Sequence, residues 1–114
     1  MKQESIATLL RIFIGESDKY HHQKLYDYLV KYLKEHHFSG VTVLRGIEGF
    51  GHKSVIHTAN IVDLSTDLPI VVEVVDTEEK ITELKTMLDE LDLQRKVGML
   101  ITEERVKVVK YGKV

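Results

Sequence analysis

The chain predicts an α+β fold in the order strand, helix, strand, strand, helix, strand. Three observations carry this. The hydrophobic period changes several times along the 114 residues, between alternation and helical spacing. Glycines and the single proline fall near those changes. Apolar residues make up 43% and charged residues 30%, the balance of an ordinary globular chain with one core.

Residues 6–14 alternate as a strand, with Leu10, Ile12 and Ile14 on one face and Leu9, Arg11 and Phe13 on the other. Gly15 breaks the run, and 16–22 reads as a polar loop. Leu25, Leu29, Tyr32 and Leu33 then recur at spacings of three and four, which predicts a helix that ends before Gly40. Residues 41–47 read as the next strand. The stretch 46–54 carries three glycines and reads as a loop. Residues 56–64 read as a strand, 65–67 as a turn, and Pro69 opens a strand over 70–75, at a position where proline is tolerated. Asp76 and Glu79 resemble a capping box before a helix whose stripe is Ile81, Leu84, Leu88 and Leu91. A β-rich stretch at 105–111 closes the chain. The order matches the ferredoxin-like, split βαβ arrangement with an antiparallel sheet, as a single domain over 1–114.

In such a domain both helices cover one sheet face, and the other should turn polar towards water. The run Ile70, Val71, Val72, Glu73, Val74, Val75 is apolar on nearly both sides, and residues 6–14 are similar. Burying one aliphatic side chain is worth roughly 1.5–3 kcal/mol, so several left in water would make a sticky surface. The sequence therefore predicts that the open face packs against other subunits.

Composition narrows the function. The net charge is −2, from 16 basic and 18 acidic side chains, without the basic excess of a nucleic-acid binder. The absence of cysteine excludes disulfides, thiolate metal sites and cysteine nucleophiles. The apolar run at 6–14 contains Arg11 and is too short to cross a bilayer. The reading is a cytoplasmic protein with no direct membrane insertion.

The most informative segment is Arg45, Gly46, Ile47, Glu48, Gly49, Phe50, Gly51, His52, Lys53. Its glycines allow close backbone approach, and successive amides can form an anion-binding nest. Arg45, His52 and Lys53 add donors. The bland alternative is a plain hairpin loop, since neither GxxxxGK[ST] nor a helix-opening GxGxxG is present. The six histidines include two adjacent pairs, which chelate poorly, and HExxH is lacking, so no metal site is expected. GxSxG and an ordered Ser, His, Asp set are also missing, and no catalytic residue is assigned.

The run Gly40, Val41, Thr42, Val43 into Arg45-Gly46 and Gly49-Phe50-Gly51-His52 resembles the second strand and T-loop start of PII signal-transduction proteins. Residues 68–75 resemble a later strand of the same superfamily. More closely, residues 12–19, the Leu44-Arg45-Gly46 segment and His57-Thr58-Ala59 are similar to an uncharacterised PII-like family of bacteria and archaea, a domain of unknown function. That resemblance implies a homotrimer with its sheets around a central axis and clefts between subunits that take adenine nucleotides such as AMP or ADP. It also implies a loop at 46–57 that engages a partner. The similarity extends to proteins encoded beside fluoride-export channels, which implies a transporter or ion-channel partner. The resemblance places Gly46, Gly49, Phe50, Gly51 and His52 at the loop start, and Lys107 and Lys110 on the last strand as basic ligand contacts. Two departures bear on this. The stretch 92–104, where PII proteins carry a second glycine-rich phosphate loop, has only Gly98. No tyrosine occurs from Gly46 to Thr58, so uridylylation is not expected.

The sequence thus points to a trimeric, PII-like regulatory binding module rather than an enzyme. Its ligand is a small anion held by Arg45, Gly46, Gly49, Phe50, Gly51, His52, Lys107 and Lys110. The rival readings are an ion- or metal-tolerance protein of the CutA type and a small enzyme with a cleft active site.

Overall fold

The computed structural model describes residues 4–50, 57–58, 67–95 and 97–112. Four strands form the main sheet: β1 (Ser5–Gly15), β2 (Thr42–Arg45), β3 (Pro69–Asp76) and β4 (Leu100–Val108). Two helices lie between them in sequence, α1 (Leu25–Glu35) and α2 (Glu78–Arg95). The sheet order is β2, β3, β1, β4, with each neighbouring pair antiparallel. This is the βαββαβ order with β3 inserted between β1 and β2, as the sequence predicts.

Both helices cover the same face. Leu10, Ile12 and Ile14 of β1 and Ile70, Val72 and Val74 of β3 are buried against Leu25, Leu29 and Leu33 of α1 and Ile81, Leu84, Leu88 and Leu91 of α2. Alternation along each strand and the three-to-four spacing along each helix place these residues on facing surfaces. Tyr32, predicted in the first helix's stripe, is half-buried rather than core. It stacks on the His36 ring at 3.9 Å and stands 6.3 Å from the Tyr28 ring.

The ladder register organises the open face into rows. Leu44, Val71, Phe13 and Leu100 lie side by side across all four strands. The next row is Thr42, Glu73, Arg11 and Thr102. Arg11 donates to Glu73 at 2.8 Å and to Glu104 at 3.0 Å, and these hydrogen bonds, that to Glu73 foremost, raise its pKa above the ordinary arginine value. Beyond it come Val75, Leu9 and Glu104. Leu44, Val75 and Leu100 remain exposed in the single chain.

Several boundaries differ from the sequence expectation. Five runs of the sequence look strand-like, and the described residues supply four strands of the main sheet. The run 56–64 lies outside the described residues apart from His57 and Thr58, which pair with Glu48 and Gly49 in a separate two-residue ladder. The strand expected over 41–47 spans only Thr42–Arg45, because Gly46 turns to donate its amide to the Pro69 carbonyl at 2.7 Å. The loop over 16–22 carries its own small ladder, Lys19–Tyr20 against Gln23–Lys24. The closing strand, expected over 105–111, starts at Leu100 and ends at Val108. Thr102, Glu103, Glu104 and Arg105 are four polar residues in a row, which hid its first half from a hydrophobic reading.

The capping pair is corrected too. Thr77, not Asp76, caps α2, its Oγ1 accepting from the Lys80 amide at 3.2 Å. Asp76 ends β3, buried, and accepts from the Thr77 amide at 2.8 Å and the Ser39 amide at 2.7 Å. It therefore ties the segment after α1 to the sheet.

Candidate functional site

The sequence concentrates its candidate ligand residues where β2 leaves the sheet, and the structure shows how tightly that end is built. Gly46 packs on Pro69 so closely that a Cβ there would sit 2.8 Å from the proline Cγ. Gly49 lies over the same ring, its Cβ position 3.3 Å away. Glycine is needed at Gly46 because the chain must cross the first residue of β3 at backbone contact distance. Gly49 then pairs with His57, so the segment leaving β2 and the segment returning run antiparallel at their base.

Around this crossing, carboxylates hold the loop between β1 and α1. Asp18 Oδ2 accepts from the Gly15 amide at 2.8 Å, and Asp67 Oδ1 accepts from the Ser17 amide at 2.7 Å. The Glu16 amide donates to the Leu68 carbonyl at 2.8 Å. Glu16, its side chain only 18% exposed, receives Arg45 Nη2 at 2.6 Å. Short acidic side chains that capture nearby amides are a common turn device. Here they fix the β1 end, the start of β3 and the end of β2 relative to one another. The guanidinium of Arg45 is more than half exposed and remains open to solvent.

These contacts settle where most expected site residues lie. Arg45, Gly46 and Gly49 are brought together at one end of the sheet. Phe50 follows them with its side chain 68% exposed, outside the core. Gly51 and His52 lie outside the described residues. Lys107 is on β4, exposed, with its Nζ 3.8 Å from Glu4, and it pairs across the ladder with Ile6. That is the opposite end of β1 from Gly15, so the single chain does not bring Lys107 to Arg45. Lys110, expected on the last strand, lies beyond its end.

Sequence reasoning missed Glu16, Asp18 and Asp67 as anchors. The signal was present in Gly15, Glu16, Ser17 and Asp18, a glycine followed by acidic and hydroxyl side chains, but it reads equally as a solvated turn. The connection between α2 and β4 is also shorter than the 92–104 stretch suggested, since α2 runs to Arg95 and β4 starts at Leu100. Gly98 in that connection has φ 77°, and its amide donates to Asp92 at 3.0 Å. A side chain there would be strained.

Chemically, this end offers one accessible guanidinium, already paired with a carboxylate, and glycine backbone at the start of a loop. It suits reversible capture of a small anion. Among the described residues, no group of three or more His, Asp or Glu side chains is gathered to hold a metal ion. Among them, too, no helix is long and apolar enough to cross a membrane.

Comparison with known proteins extends this geometry. A profile of the DUF190 family, described as "Uncharacterized ACR", matches residues 7–108. A UPF0166 protein of Aquifex aeolicus is 40% identical over 101 residues, covering 89% of this chain and 91% of its own. A UPF0166 protein of Methanocaldococcus jannaschii is 38% identical over 85 residues, or 75% of this chain and 78% of its own. Among solved structures, CPII, a nitrogen regulatory PII-like protein from Thiomonas intermedia K12 bound to ADP, AMP and bicarbonate, superposes with a TM-score of 0.70. It is 13% identical and covers 95% of this chain and 92% of its own. A second CPII structure, bound to ADP and bicarbonate, gives 0.67 at 14% identity. At such identities the likeness shows the fold, which is PII-like. The family is fixed by the sequence matches, and the chain belongs to DUF190.

Proposed function

We propose that the protein is a PII-like regulatory module rather than an enzyme. It binds a small anionic ligand, AMP or ADP, in clefts between the subunits of a homotrimer and modulates a partner protein through the loop at 46–57. The observation that carries this reading is the fold match to CPII, whose structures hold ADP, AMP and bicarbonate. The chain's own geometry supports it. The open sheet face carries the apolar row Leu44, Val71, Phe13 and Leu100, which a neighbouring subunit would bury. In a trimer the last strand of a neighbour supplies Lys107, which within one chain stands far from Arg45. The loop starts at a glycine crossing held in place by Asp18, Asp67 and Glu16.

Calorimetric titration with AMP, ADP, ATP, cyclic AMP and bicarbonate tests this. A mono- or diphosphate nucleotide should bind most tightly, because the α2–β4 connection carries one glycine where PII proteins carry a glycine-rich phosphate loop. Gly51→Val should abolish binding by blocking backbone approach. Loss of the Arg45 guanidinium should weaken it about tenfold to a hundredfold, the cost of one charged hydrogen bond. If no nucleotide binds more tightly than millimolar, or Gly51→Val binds equally well, the nucleotide reading fails.

A further inference from the structure

The carboxylates around the loop base differ in what they hold. Asp18 and Asp67 are taken by backbone amides, those of Gly15 and Ser17. Glu16 spends its charge on a side chain instead, with its Oε2 2.6 Å from Arg45 Nη2. Arg45 is the cation that the proposed function gives to the ligand. That guanidinium therefore already carries an anion, and the anion belongs to the chain itself.

The two partners differ in freedom. The Glu16 side chain is only 18% exposed. Its amide donates to the Leu68 carbonyl at 2.8 Å, and the amides on either side of it, of Gly15 and Ser17, are bonded to carboxylates. Its backbone is thus fixed to the start of β3. Arg45 has its backbone in the ladder opposite Ile70, but its side chain is 58% exposed. A long side chain of this kind keeps many rotamers open while its backbone stays in place. Arg45 is therefore the partner that can turn away. Ion pairs with one largely exposed member are weak enough to exchange.

An incoming anion could share the guanidinium with Glu16 or replace it. Sharing sets two negative groups a few ångströms apart, where like charges oppose each other. Replacement frees the whole fork of donors for the newcomer. We infer that Glu16 is a built-in competitor for the anion site. Its carboxylate takes the place on Arg45 that a ligand's phosphate takes, and Arg45 captures the ligand by turning from Glu16. The half-sheltered carboxylate left behind loses its partner, which lowers the ligand's affinity and favours its release. The inference rests on the reading of Arg45 as a ligand contact, and it adds the residue that sets how tightly the ligand is held.

Calorimetric titration of the full chain with ADP and with pyrophosphate, on the parent and on Glu16→Gln, tests the inference. Glutamine keeps the shape of the side chain and removes its charge. The amide bond of residue 16 to Leu68 is untouched, so the variant should fold, as circular dichroism would verify. Glu16→Gln should bind ADP about threefold to tenfold more tightly than the parent chain. Damage to the fold would weaken binding, so a gain of this kind reports competition. In an Arg45→Gln background the gain should vanish, and affinities with and without the Glu16 substitution should agree within about twofold. If ADP binds the parent chain and Glu16→Gln binds it no more tightly, the inference is overturned and the nucleotide reading stands. The inference is also overturned if the gain persists without Arg45, since the effect is then the repulsion of a nearby charge. If ADP binds neither protein but pyrophosphate binds Glu16→Gln more tightly than the parent, the nucleotide reading fails and the competitor role stands. If neither probe binds either protein, both fail.

Discussion

The two faces of the sheet are built from almost the same residue types and behave differently. On β3 the helix side is Ile70, Val72 and Val74, all nearly or fully inaccessible, and the open side is Val71, Glu73 and Val75, half-buried or exposed. On β1 the helix side is Leu10, Ile12 and Ile14, and the open side is Leu9, Arg11 and Phe13. A monomer needs only the first face to be apolar. The second keeps an apolar row across four strands beside a row whose Arg11 is satisfied by Glu73 and Glu104 within the same chain. The difference teaches what the open face is for. Its charge is satisfied within the chain, while its apolar row is what the proposed subunit contact would bury.

The sharpest way to break this comparison is a charge placed on each side in turn. Val72→Asp puts a carboxylate among fully buried aliphatic side chains. An unpaired buried charge costs several kcal/mol, a large part of a typical stability of about 5–15 kcal/mol, so the variant should fail to fold at any concentration. Val71→Asp, one residue away, should keep native circular dichroism yet lose assembly. Light scattering should then report a mass near 13.1 kDa, against about three times that for the parent chain. A parent chain that is itself monomeric at micromolar concentration would remove the trimer from the proposed function. Val74→Asp belongs with Val72→Asp, because it too faces the helices. Neither variant isolates the subunit contact.

How much of this could be seen in the sequence depends on the kind of signal. The alternation of β1 and β3 and the stripes of α1 and α2 were legible because burial imposes a period on the residues themselves. The start of β4 was not. Leu100, Thr102 and Glu104 face the open side, and Glu103 and Arg105 line a cavity that α2 leaves uncovered, so neither face is uniformly apolar. The cap of α2 was misplaced by one residue because Asp76 and Thr77 are both good caps, and only the tertiary bond from Ser39 decides between them. At the candidate site, the glycines announced an unusual backbone, but not what they approach. The contact of Gly46 with Pro69 joins residues 23 positions apart, and the Ser17 bond to Asp67 joins residues 50 apart. Long-range partners of this kind leave no local pattern.

A smaller effect comes at the end of the sheet where both faces meet the loop. Gly46→Ala places a methyl group 2.8 Å from Pro69 Cγ, and the proline is fixed in β3. Overpacking of this sort costs about 1–3 kcal/mol. Gly40→Ala is the matched control, since a Cβ there has nothing within 4 Å. Urea denaturation should show a lower midpoint for the first variant and little change for the second. Equal midpoints would mean that the β2 end can relax away from β3, and that the loop base is not rigid.

The smallest expected effect concerns the surface where α1 meets solvent. Tyr28 and Tyr32 are both held above the ordinary tyrosine pKa, chiefly by loss of water. Tyr20 adds to the effect at Tyr28, and Glu83 and Glu90 add to it at Tyr32. The phenol is neutral when protonated, so the folded chain keeps these protons to higher pH than the unfolded chain does. Their contribution to stability is complete below the unfolded value of about 10. As pH rises past it, the unfolded chain releases its protons first, and the contribution falls until the folded groups titrate too. The parent chain should therefore lose stability above about pH 10 faster than a Tyr28→Phe/Tyr32→Phe variant, which has no phenols there. Urea midpoints measured across that range should show the gap between the two proteins shifting in the variant's favour. Added salt should reduce the share due to Glu83 and Glu90 and leave the share due to burial. A gap that stays constant through the same range would show that the α1 tyrosines titrate as they do in the unfolded chain.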